Sequence, residues 1–253
     1  MRLRHTIAMV ATCSAMVLGT SGVSNAATPR STFENYTCTG GTIPAGQYLH
    51  LEIAGVCSMP DSGEVHIHKG LKVGAGAVLN AATPATVTIE GYVVVRKDAI
   101  LLLGCSPEVG CDVAPPDRVR GDITARRAAS VIIHSVTVHG NVKISEGGGG
   151  VNCDPNEIIG SPLYVDVEDS DVFGSLQVDS LETCWLGLIR NKVHRDVFDV
   201  FNHMADPDAN EVVNNHIGGN LLCRENSPVA QIGDSGGALN KVAGTKSGEC
   251  VGL

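Results

Sequence analysis

The chain has 253 residues and a formal charge of −9, with 27 acidic against 18 basic side chains. A surface of that sign repels nucleic acid and anionic lipid, which excludes the classes that bind polyanions. Only 4% of residues are aromatic while glycine reaches 30, a composition suited to short strands and turns rather than to a helical bundle.

In chain order the first element is an address. "MRLRH" is a basic start, "TIAMVATCSAMVLG" an apolar stretch, and "SNA" places small residues ahead of a cut after Ala26. This pattern is that of a secretory signal, which leaves 27–253 as a single mature domain. No later run reaches the roughly eighteen apolar residues of a membrane span, so the mature chain is not expected to span a membrane. Of the nine cysteines, Cys13 falls in the leader. The others are Cys38, Cys57, Cys105, Cys111, Cys153, Cys184, Cys223 and Cys250, an even set that implies disulfides in an exported chain. Pairing in sequence order is expected, because each neighbouring pair brackets one local segment. A zinc site made of cysteines is not, because no C-x-x-C occurs.

The body of the chain repeats one phrase. It reads "TIEGYVVV" (88–95), "RVRGDITA" (118–125), "TVHGNVKI" (137–144), "DVFGSLQV" (171–178), "KVHRDVFD" (192–199) and "HIGGNLLC" (216–223), with an earlier "HKGLKV" around Gly70. Each copy has a β-branched or similar apolar residue, a spacer, a glycine (Arg195 in one copy), often Asp or Asn, and then an alternating strand. The period is about twenty residues once two insertions are set aside. These are "GCSPEVGCDVAPPD" and "EGGGGVNCDPNE", whose glycines and prolines no strand tolerates. Such a period, with short strands and no helical pattern between them, predicts an all-β solenoid, a parallel β-helix of about nine to eleven coils with short loop insertions. Segment 180–210 also alternates as strands and is placed in the same stack. Glycine at the head of each phrase suits a tight corner with positive φ. Asp122, Asn141, Ser175, Asp196 and Asn220 then pile up at one turn as a ladder bonding to nearby backbone.

The opening "YTCTGGTIPAGQYLHLEIAGVC" and the closing "GNLLCRENSPVAQIGDSGGALNKVAGTKSGEC" resemble the ends of secreted bacterial proteins with a right-handed parallel β-helix of the pectin-lyase-like type. The closing matches are Leu221, Cys223, Asn226, Pro228, Asn240, Val242, Gly244, Lys246, Gly248 and Cys250. The resemblance implies fold and export, and no particular activity.

"GDSGG" around Ser235 is the nucleophile motif of chymotrypsin-like proteases. Too little chain follows it to complete a second barrel, and no histidine precedes a cysteine, so a glycine-rich turn is expected instead. His66 and His68 alternate on one strand face, but a third metal ligand is not visible unless His50, His134 or His139 stacks nearby; no metal site is assigned. "DPDAN", 206–210, reads as a turn, and "HRD", 194–196, has no phosphate-binding partners. Enzymes with the fold implied by the resemblance work on acidic polysaccharides with clustered carboxylates and, in lyases, Ca²⁺. Under that reading the candidates are Asp166, Glu168, Arg190, Arg195, Asp196 and Asp199. The insertions are short for a substrate cleft, and sugar-stacking aromatics are few. The expected function is therefore a non-enzymatic extracellular or envelope scaffold that meets a polysaccharide or other partner, without cofactor. The alternative is a polysaccharide lyase or glycoside hydrolase, and only its lyase form would use Ca²⁺.

Overall fold

The strands pair in parallel, and after the first three each finds its partner one circuit of the chain further on rather than next to it in sequence. Three long ladders result, beside one short pairing of Glu182–Thr183 with His203–Met204. The first contains Val78–Ala81, Ile100–Leu103, Ser130–His134, Val165–Glu168, Leu186–Ile189 and Glu211–Val213. The second contains Thr86–Ile89, Arg118–Val119, Thr137–Val138, Asp171–Val172, Lys192–Val193, His216–Ile217 and Lys241–Val242. The third contains Tyr92–Val95, Ile123–Arg126, Val142–Ser145, Leu176–Asp179, Val197–Val200, Leu221–Arg224 and Lys246–Gly248. Two longer strands, Gly46–Ser58 and Glu64–Val73, start all three. This is a computed structural model; it describes residues 33–107 and 110–253, so the secretory signal expected over 1–26 lies outside the described residues.

The alternation read from the sequence explains the core. On the third ladder Val93, Ile123, Val142, Leu176, Val197 and Leu221 fall in register and are each at most 1% exposed. Rungs repeat every ~4.8 Å, so β-branched side chains of one rung close-pack on those of the next. Each such burial contributes roughly 1.5–3 kcal/mol relative to exposure. On the outer surface, the spacer residues His139, Phe173 and His194 stack ring on ring at 4.8 and 4.3 Å.

Glycine at the head of the phrase has a different reason from the one read in the sequence. Gly91, Gly121, Gly140, Gly174 and Gly219 do not have positive φ. What they lack is room: a Cβ on Gly140 or Gly174 would come within 2.5 Å of the backbone one rung back. The left-handed conformation lies at the other two corners and on residues with side chains. Asp98, Arg127, Glu146, Ser180, Phe201 and Glu225 follow the third ladder; Ser135, Asp169, Arg190 and Asn214 follow the first. Each costs on the order of 1 kcal/mol or more.

Hydrogen-bond ladders run along all three corners, and those at the two left-handed corners offset that cost. At the phrase corner, Asp122 Oδ1 accepts from Asn141 N–H (2.7 Å) and Asn141 Oδ1 accepts from Ser175 N–H (3.0 Å). Asp196 Oδ1 accepts from Asn220 N–H (2.8 Å), and Asn220 Oδ1 from Thr245 N–H (3.0 Å). A second, buried ladder follows the first sheet face. There Asn191 Oδ1 accepts from Ser170 N–H, Asn215 Oδ1 from Asn191 N–H, and Asn240 Oδ1 from Asn215 N–H. A third joins Asn202 to Leu181 N–H and Asn226 to Asn202 N–H.

The disulfides join Cys38 to Cys57, Cys105 to Cys111, Cys153 to Cys184 and Cys223 to Cys250. The first and last tie the outermost described rungs; the middle two pin the insertions. Among the described residues no helix is long and apolar enough to cross a membrane.

Candidate functional site

The two insertions meet over one place on the first ladder. Ser130–His134 pairs with Val165–Glu168, which sets Ile132 beside Asp166 and His134 beside Glu168. These positions point away from the core, yet His134, Asp166 and Glu168 are only 4, 4 and 5% exposed. The cover comes from the insertions. The Cys105–Cys111 loop brings Ser106 Oγ to 3.4 Å from His134 Nδ1. The glycine-rich insertion, clamped by Cys153–Cys184, delivers Pro162 and Tyr164. With Trp185 and Cys184 they wall a pocket of about 410 Å³ whose floor is His134, Asp166 and Glu168.

Inside it, His134 Nε2 lies 2.6 Å from Asp166 Oδ2 and 3.7 Å from Glu168 Oε2. Arg190 Nη2 pairs with Glu168 Oε1, and its Nε bonds Asp169 Oδ1 at 2.8 Å. Tyr164 and Trp185 meet edge to face, with centroids 6.0 Å apart. Burial, and then the charges of Asp166 and Glu168, push the Tyr164 phenol above its ordinary value. The Trp185 ring lies over Gly187, where a Cβ would overlap it.

The six acidic and basic candidates named from the sequence divide among three places. Asp166, Glu168 and Arg190 are together at this pocket. Arg195 is exposed at the phrase corner in the column otherwise held by glycine, and beside it Asp196 is tied into the exposed turn ladder. Asp199 is a correction. It faces inward, in the column Val178–Asp199–Cys223, and is 0% exposed, so no saccharide reaches it. Its carboxylate accepts from Asn202 Nδ2 at 2.7 Å and Asn226 Nδ2 at 3.0 Å. His66 and His68 stack on each other at 4.3 Å, well away in sequence, with Glu90 and Gln47 as partners. In the "DPDAN" turn Asp206 Oδ1 accepts from Asp208 N–H at 3.0 Å.

Ser235 belongs to a loop closing over Glu211. Its Oγ donates to Ile232 O at 3.0 Å. A Cβ on Gly233 would strike Glu211 at 2.5 Å, which accounts for glycine in this part of the "GDSGG" stretch. Burial raises the Glu211 carboxyl, while bonds from Ser235 and Trp185 pull it back.

Sequence alone does not group His134 with the two acids, because the insertion hides the register. A signal exists all the same: "SVIIH" (130–134) and "YVDVE" (164–168) align once that insertion is removed.

Two buried carboxyls away from the pocket make stability depend on pH. Burial raises Asp199, and likewise Asp117, from 3.8 to about 7, against the hydrogen bonds that each accepts. A raised carboxyl contributes stability that is whole below pH 4 and is lost as pH climbs to 7, because the folded state must then hold a buried charge. Asp199→Asn should therefore gain on the wild type between pH 4 and 7, by roughly 1 kcal/mol for each step of one in pH. Urea denaturation at a series of pH values measures this; a difference flat with pH would show that Asp199 titrates normally.

No protein family, no curated protein and no solved structure matches the chain.

Proposed function

We propose that this chain is an exported right-handed parallel β-helix that binds a saccharide unit of an extracellular or envelope polysaccharide in the pocket beneath Tyr164 and Trp185. One observation carries the reading: the paired aromatic rings stand over a polar floor of His134, Asp166 and Glu168 in a pocket of about 410 Å³. Ring faces stack on the apolar face of a sugar while carboxylates and imidazole take its hydroxyls. The volume lies within the range of small-molecule sites. The three parallel ladders support the β-helix, and the four disulfides are compatible with export. The scatter of Arg195, Asp196 and Asp199 away from Asp166 and Glu168 supports binding over the six-residue catalytic grouping.

Calorimetric titration of the oxidised mature protein with a panel of polysaccharide fragments tests it. Trp185→Ala should weaken the bound fragment tenfold or more, and Phe201→Ala, an exposed aromatic elsewhere, should leave it unchanged. Binding untouched by Trp185→Ala would remove the pocket from the account.

The lyase or hydrolase alternative draws on one feature, the buried His134–Asp166 contact of 2.6 Å, which has the geometry of an acid–base pair. The same mixtures assayed for new reducing ends or unsaturated products read it directly. Turnover lost in Asp166→Asn would favour catalysis, and turnover surviving that change would place any activity elsewhere.

A further inference from the structure

We propose that His134, Asp166 and Glu168 form a binding site for one divalent first-row transition ion at the floor of the pocket. This goes beyond the saccharide reading and is tested with the metal alone.

The donor atoms already converge. One nitrogen and two carboxylate oxygens, from His134, Asp166 and Glu168, lie within 4.8 Å of one another, and all three side chains are buried. His134 Nε2 lies 2.6 Å from Asp166 Oδ2 and 3.7 Å from Glu168 Oε2. An ion bonded at about 2.0–2.2 Å to each donor needs only small shifts to sit among them. Two of the donors stand on the same side of one short strand and the third on its hydrogen-bonded neighbour, so the sheet itself sets the spacing.

The surrounding groups orient the donors as they do in built metal sites. Ser106 Oγ engages His134 Nδ1 and leaves Nε2 as the nitrogen facing the acids. Arg190 holds Glu168 by Oε1, so that Oε2 is the oxygen turned toward His134; Asp169 in turn holds Arg190. Such outer contacts fix the tautomer and the carboxylate rotamer. The pocket leaves a side from which water or a ligand hydroxyl can complete the coordination.

The donor set selects the class of ion. Calcium favours six to eight oxygens in a flexible cage, whereas imidazole with two carboxylates suits zinc, manganese and their neighbours. Without the ion, the same atoms form a hydrogen-bonded cluster, with His134 Nε2 2.6 Å from Asp166 Oδ2. Binding an ion through Nε2 places the single ring proton on Nδ1, where Ser106 Oγ can accept it.

The experiment uses the oxidised mature protein after chelator treatment, titrated with zinc or manganese chloride and no saccharide. The expected result is one ion per chain, and a tenfold or greater loss of affinity in His134→Ala and in Asp166→Asn. Absence of binding in the wild type, or affinity unchanged in both variants, would overturn the site. If the variants do not fold, manganese broadening of the wild-type histidine resonances decides. His134 broadening first supports the site; the half-buried His66–His68 pair broadening first overturns it.

Discussion

Asn215→Ala is expected to lower the stability of the fold by about 3 kcal/mol, among the largest effects of any single polar substitution in this chain. The side chain is 1% exposed and joins three rungs. Its Oδ1 accepts from Asn191 N–H at 2.9 Å, and its Nδ2 donates to Leu188 O at 2.7 Å and to Asn240 Oδ1 at 2.9 Å. Alanine removes all three and strands a buried N–H and a buried carbonyl where water cannot replace them, each at about 1–3 kcal/mol. Asn220→Ala is the control. It removes similar bonds at the exposed phrase corner, where solvent substitutes, and should cost about 1 kcal/mol or less. Chemical denaturation of the two variants separates them; equal losses would mean that the interior ladder is no stronger than the surface one.

Gly91→Ala should be more damaging still, with a loss above about 3 kcal/mol or failure to fold. A methyl group there collides with the Lys69 carbonyl oxygen and carbon one rung back. Neither can move without breaking the ladder pairing of Gly70–Val73 with Tyr92–Val95. Gly252→Ala, where nothing lies within 4 Å of the new methyl, should be close to neutral. Yields and melting temperatures of the pair give the answer, and a Gly91→Ala protein that melts with the wild type would show that the rungs can spread at this corner.

Both effects come from contacts between rungs, and these are the parts least legible in a linear chain. The buried asparagines do leave a trace. Asn191, Asn215 and Asn240 each stand four residues ahead of Arg195, Gly219 and Gly244 at the phrase position. The trace is weak, because an asparagine before a turn is equally expected on a surface. A left-handed residue stands just before two of them, Arg190 before Asn191 and Asn214 before Asn215. Asp199 is the opposite case. Its alternation with Val197 places both inward, but a carboxylate next to Arg195 and Asp196 reads as a surface charge until its neighbours Asn202 and Asn226 are seen around it.

Short-range chemistry is readable residue by residue. The two-residue alternation, the twenty-residue phrase and the glycine where nothing larger fits mark the strands and their corners, since each depends on a side chain and its immediate neighbours. The pocket is another matter. His134 meets Asp166 and Glu168 across an insertion, and Tyr164, Trp185 and Ser106 cover them from loops that the sequence shows only as breaks in the period. Which outward faces become buried depends on where a disulfide-pinned loop lands, and that is a property of the folded surface as a whole, set by rung register and bridge geometry rather than by any local pattern.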